Sequence, residues 1–224
     1  MKVTKVALFT NSLEAQVRFY MNVLHLPTVA DSESLHIQVG SSELTFRQST
    51  GNQTHAYHFA FNIPENRFEE AKAWIAEHIP LIANSSGEDS FDFKNWNAHS
   101  CYFRDAAGNI LEFIARHGLP NASDMPFDEQ GILSISEIGI ASDDVIATVE
   151  QLQGAGMPIY DGAGSDTFAA VGDEHGLLIV VRHGRIWFPD TGTPADLVPL
   201  KVVVSLGSGA KAVISGPPYE VSYT

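Results

Sequence analysis

One cysteine, Cys101, in 224 residues excludes an internal disulfide and any cysteine-rich zinc cluster. No apolar run reaches the roughly 18 residues a spanning helix requires. The first residues, MKVTKVALFTNSLEAQ, lack the long apolar core and small-residue cleavage site of a secretory leader. Basic residues are scarce: 13 Lys and Arg face 27 Asp and Glu, giving a net charge of −14 and a pI near 4.9. Such a surface repels phosphate backbones and anionic lipid, so neither nucleic acid nor membrane is an expected partner. What is present suits a packed core: 44% hydrophobic residues, 18% charged and a mean hydropathy of −0.02. A soluble, cytoplasmic protein is the expectation.

The acid is uneven. Residues 1–117 hold 9 basic and 13 acidic groups, whereas 118–224 hold 4 and 14. The change falls in HGLPNASDMPFDEQG (117–131), rich in turn-forming residues. The expected organisation is a unit over 1–117, a linker over 118–131 and a second unit over 132–224.

Three stretches repeat one pattern, a short strand followed by an amphipathic helix: KVALFT-NSLEAQVRFYMNVL from Lys5, HFAFNI-PENRFEEAKAWIAEH from His58, and EIGIAS-DDVIATVEQLQGAG from Glu137. Asn11 with Glu14, and Asn66 with Glu69, have capping-box spacing, while Ser142, Asp143 and Asp144 supply a cap and favourable charge to the third helix. Strand-like runs follow each helix. In the second and third copies they form a hairpin in which an Asp precedes a Gly by three residues (Asp105/Gly108, Asp173/Gly176). Each unit therefore reads as βαβββ, with modules at about 1–50 and 54–117, a degenerate third from 132, and extra strands in PLKVVVS, KAVIS and YEVSY. One such unit leaves a sheet face bare, so the modules are expected to pair.

Side chains alternate across a strand. Phe59, Phe61, Cys101, Phe103, Leu111 and Phe113 fall on one phase, which the helices should cover. Lys5, Glu43, His58, Tyr102 and Glu112 fall on the other, with small residues between them. A sheet covered outside and polar within encloses a cleft. One histidine and two carboxylates on separate strands suit Zn, Fe(II), Mn or Ni, and equally suit a hydrogen-bonded structural histidine.

The motifs KVALFTNSLEAQVRFYMNVLHL, HAYHFAFNI and CYFRDAAGNILEFI together resemble the vicinal oxygen chelate superfamily, which includes glyoxalases, bleomycin-resistance proteins and extradiol dioxygenases. The resemblance covers 1–117, is looser in the third module and stops before the tail. It implies an α+β fold of paired βαβββ modules, forming a mixed, half-barrel-like curved sheet with helices outside. Matched position by position, it implies metal ligands at Glu43, His58 and Glu112, with Glu43 or Glu112 catalytic. Lys5, Arg47 and Tyr102 become candidate substrate contacts. Lys5 departs from the pattern: the family places His or Gln there, and an ammonium offers no lone pair. In the third module Glu137 takes the histidine position and Val180 or a neighbour the glutamate position, which implies a scaffolding or dimerisation role. His175 and His183 read as turn residues.

Two functions follow as expectations. One is a metal-dependent glyoxalase-like lyase or dioxygenase-like enzyme, holding a divalent Zn, Fe(II), Mn or Ni ion and acting on a small oxygen-rich or aromatic molecule. The other is a metal-free, sequestering small-molecule binder in which Lys5 replaces the metal. A homodimer is expected in either case.

Overall fold

The computed structural model describes residues 1–51, 55–207 and 209–223. Its elements are β1 (Lys2–Thr10), α1 (Leu13–Asn22), β2 (Thr28–Ala30), β3 (Ser34–Val39), β4 (Ser42–Gln48), β5 (His58–Ile63), α2 (Phe68–Ala76), β6 (Phe91–Phe93), β7 (Ala98–Arg104), β8 (Ile110–Arg116), β9 (Ser134–Ser142), α3 (Val145–Gly154), β10 (Phe168–Asp173), β11 (Gly176–Arg182), β12 (Leu200–Ser205), β13 (Lys211–Gly216) and β14 (Glu220–Tyr223). Among the described residues the strands form two seven-stranded mixed sheets. One has the order β14-β13-β12-β1-β4-β3-β2, the other β10-β11-β9-β5-β8-β7-β6. This is an α+β, half-barrel arrangement with helices outside, in which the first two units are βαβββ and the third, β9-α3-β10-β11, has one strand fewer than expected.

The phases follow the alternation in the sequence. Phe59, Phe61, Phe103, Leu111 and Phe113 of the second sheet share one buried cluster with Leu8 and Phe46 of the first and with Phe19 and Ile75 of the helices. Tyr57 ties the sheets together: its hydroxyl donates to the Pro199 carbonyl at 2.7 Å and accepts from the Phe9 amide at 3.2 Å. The Asp105 turn anchors α1, since Gln16 Nε2 donates to Asp105 Oδ2 at 2.6 Å. Glycine is required at Gly108 of that turn, whose φ is +84°.

The helix starts depart from the capping-box expectation. α1 is preceded by Ser12 and α2 by Arg67, neither with a side-chain cap bond. Asn66 instead holds the linker, accepting from the Ser123 amide at 2.9 Å and donating to the Ser123 carbonyl at 3.0 Å. Only α3 is capped as expected, with Asp144 Oδ1 accepting from the Ala147 amide at 3.0 Å.

Module pairing also differs from the expected pairing within 1–117. β1 is flanked by β4 and by the tail strand β12, whereas β5 is flanked by β8 and β9. Each module leaves its first strand as an open edge, and an open edge takes any strand the chain can deliver in register. The tail fills the edge of the first module and the third module fills that of the second. The polar face around His58 is thus shared by 58–116 and 134–182.

Candidate functional site

β5, β8 and β9 place three ionisable side chains together. Ala60 lies opposite Glu112 on the parallel neighbour β8 and opposite Glu137 on the antiparallel neighbour β9. Both carboxylates therefore rise on the face of Ala60, where a methyl group leaves them room. His58, two residues earlier on β5, shares that face. The nearest donor atoms of His58, Glu112 and Glu137 all lie within 4.8 Å of one another, and all three residues are buried.

Burial lowers the His58 pKa to about 4, so the imidazole is neutral at ordinary pH. Its Nδ1 lies 3.2 Å from the Ile110 carbonyl. A carbonyl only accepts, so Nδ1 carries the hydrogen and the Nε2 lone pair faces Glu112, whose Oε2 is 3.7 Å away. Burial, then the charge of Glu137, push the Glu112 pKa well above the usual carboxylate range. Glu137 is raised by burial and pulled back by its ion pair with Arg116 Nη2. The Arg116 side chain is completely buried and lies 5.6 and 5.7 Å from the ring centres of Trp96 and Tyr160. One guanidinium thus balances one of two carboxylates, and the remaining acid must hold a proton or meet another cation.

These residues face a cavity of about 540 Å³ with aromatic walls that include Tyr102, Trp96, Phe168, Trp187 and Phe188. The Trp187 ring centre is 5.0 Å from that of His58. It gets there because residue 139 is glycine: a Cβ at that position would stand 2.5 Å from Trp187 Cη2. Burial and the neighbouring Glu112 raise the Tyr102 pKa well above its ordinary value, keeping the phenol protonated.

The donor set suits a divalent cation. Metal–ligand bonds of about 2.0–2.2 Å place neighbouring donors about 3–4 Å apart. The 3.7 Å between His58 Nε2 and Glu112 Oε2 falls in that range. The hydrogen bond to Ile110 fixes the tautomer, as an outer partner does for a ligating imidazole.

Of the residues picked from sequence, His58, Glu112 and Tyr102 meet here. Glu43, Lys5 and Arg47 do not, because β1 and β4 belong to the other sheet. There Lys5 Nζ pairs with Glu43 Oε2 at 2.9 Å, with side chains 61% and 38% exposed, and Arg47 is exposed. The lysine that was to stand in for a metal is a surface partner of Glu43. Glu137, expected to belong to a chemically empty module, supplies the third donor. Arg116 is the other residue that sequence reasoning missed. Its signal was visible: four residues after Glu112 on one strand, it keeps the inward phase.

No protein-family profile matches the chain. No curated protein matches its sequence. Among solved structures, two glyoxalase I mutants from Zea mays align with TM-scores of 0.59 and 0.56, covering 99% and 96% of this chain and 92% and 88% of theirs, at 11% and 12% identity. A candidate dioxygenase from Bacillus subtilis aligns with a TM-score of 0.59 over 81% of this chain and 63% of its own, at 15% identity.

Proposed function

We propose that this chain, built on the vicinal oxygen chelate fold, is an enzyme that binds a small, partly aromatic, oxygen-bearing molecule in the cavity beside a divalent metal held by His58, Glu112 and Glu137. The observation that carries this reading is the neutral His58, its Nε2 lone pair turned toward the buried Glu112, in one cluster with Glu137, which alone is paired with the Arg116 guanidinium. When bound, the metal supplies Lewis-acid chemistry, polarising substrate oxygens and stabilising developing negative charge. Zn, Fe(II), Mn and Ni all suit this nitrogen and oxygen donor set.

The protein groups have separate tasks. Glu112 gives up its proton when a cation arrives, so ligation is favoured by rising pH. Tyr102, protonated beside it, would donate a hydrogen bond to a bound oxygen. The Trp96, Trp187 and Phe188 walls offer apolar ring faces against which an aromatic part of the substrate would pack.

A second reading rests on the Arg116–Glu137 pair. With Arg116 as the resident cation and Glu112 protonated, the site is neutral without metal and serves a sequestering binder. Elemental analysis of untagged protein separates the two. The enzyme reading expects a bound divalent ion that His58→Ala removes, with a thermal midpoint that rises when Zn, Mn or Ni is added. A midpoint that rises with small aromatic ligands but not with metals, and metal content unaffected by His58→Ala, would favour the binder.

A further inference from the structure

The first sheet carries an exposed basic patch. β1, β12 and β13 lie side by side, and their register sorts four of the chain's 13 basic residues onto one face. Lys2 lies opposite Ser205, which in turn lies opposite Lys211, while Lys5 lies opposite Val203 and Lys201 opposite Ala7. A bulge makes this possible. Thr4 is the extra residue between Val3 and Lys5, so Lys2 and Lys5 share a face although they are three apart in sequence. Val3, Val6, Val202 and Val204 turn the other way, into the core. All four lysines are exposed. Lys5 is paired with Glu43 of β4, but among the described residues Lys2, Lys201 and Lys211 have no ion-pair partner. Glu220 of β14 lies in the row of Lys201, two strands away.

We infer that this face docks an acidic segment of a partner protein, its Asp or Glu carboxylates running across β1, β12 and β13. Charge complementarity carries the inference. Lys5 and Lys201 are diagonal neighbours on adjacent strands, a relation that puts Cβ atoms about 7–8 Å apart, and like charges so placed repel. Of the chain's 27 acidic residues only Glu43 and Glu220 lie on the described strands of this face, so the chain itself leaves most of that repulsion standing. A partner's carboxylates remove it. Strands about 4.8 Å apart spread the lysines over roughly 10 Å, which an extended segment of about three or four residues spans. The net charge of −14 argues against a long polyanion such as nucleic acid, which would be repelled wherever it ran beyond the patch. A short acidic segment meets the patch alone, and charges farther away than about 10 Å are largely screened from it.

The patch is on the other sheet from the cavity around His58, so its test does not depend on what that cavity binds. The full chain is titrated against a fluorescein-labelled oligoglutamate peptide, read by anisotropy. Saturable binding is expected, and it should weaken at least about fivefold when NaCl rises from about 50 to about 300 mM. Lys201→Gln and Lys211→Gln should each weaken it about two- to fivefold, and Lys2→Gln/Lys201→Gln/Lys211→Gln together at least about tenfold. His58→Ala should bind as the unsubstituted chain does. So should Lys94→Gln, which removes an exposed cation beside the cavity. A second measurement needs no substitution. The peptide should protect Lys201 and Lys211, but not Lys94, from acetylation by acetic anhydride, read by peptide mass analysis. Four results overturn the proposal: no saturable binding, an equal loss in Lys94→Gln, tighter binding of a single-stranded oligonucleotide of the same charge, or self-association of the chain that the triple variant abolishes.

Discussion

Replacing Arg116 by methionine tests the charge balance of the cavity directly. The substitution keeps most of the buried volume but strands Glu137, which is nearly as buried as Arg116 itself. An ionised, unpaired carboxylate at such a position costs several kcal/mol, so Glu137 takes a proton instead. The cost is then that of protonating a carboxyl whose unfolded pKa is about 4.3, at about 1.4 kcal/mol per pH unit. At pH 7 this is at most about 4 kcal/mol, and at pH 5 at most about 1 kcal/mol. The sign follows from linkage: a folded-state pKa raised above the unfolded value gives stability that is present below about pH 4.3 and lost as pH rises. Urea unfolding of the unsubstituted chain, Arg116→Met, Glu137→Gln and the double variant at both pH values checks this. Arg116→Met should be far more destabilised at pH 7 than at pH 5, and adding Glu137→Gln should restore most of the loss. A destabilisation of equal size at both pH values, or a double variant that sums the two single effects, would refute the reasoning.

Two further outcomes test the surroundings of the site. His58 is held neutral with a pKa of about 4 against about 6.5 in the unfolded chain. The unfolded state therefore binds the extra proton, and stability should fall by about 3 kcal/mol between pH 6.5 and 4 through this group. His58→Gln should flatten that part of the profile in urea titrations, and an unchanged slope would contradict the assignment. Gly139→Ala drives a methyl group into the buried Trp187 ring. It should cost about 1–3 kcal/mol and shift the tryptophan emission, with weakened binding of any cavity ligand; unchanged emission and stability would show that the ring has room.

The local grammar of the chain was legible. The βαβββ units, the Asp105/Gly108 hairpin and the inward phase of His58, Tyr102 and Glu112 follow from turn residues and from alternation, both of which act over a few residues. Arg116 was also legible in principle, as the next inward position of the strand that carries Glu112. The helix caps were less so, because Asn66 found a better partner in Ser123, a residue 57 positions away. Glu43 was misleading for a different reason. Its strand has the expected phase and its neighbour Lys5 lies beside it in register, but the pair opens onto the other sheet.

What the sequence by itself determined is therefore composition, the order of strands and helices in the first two units, and the sorting of strands into a core face and a polar face. These depend on interactions within one element or one turn. Only the tertiary structure decided which first strands become neighbours, and hence which charges share a cavity. The free edges of β1 and β5 expose the same backbone groups, and nothing local to either strand distinguishes β12 from β9 as its partner. That choice brought Glu137 to His58 and Glu112 and left Glu43 with Lys5.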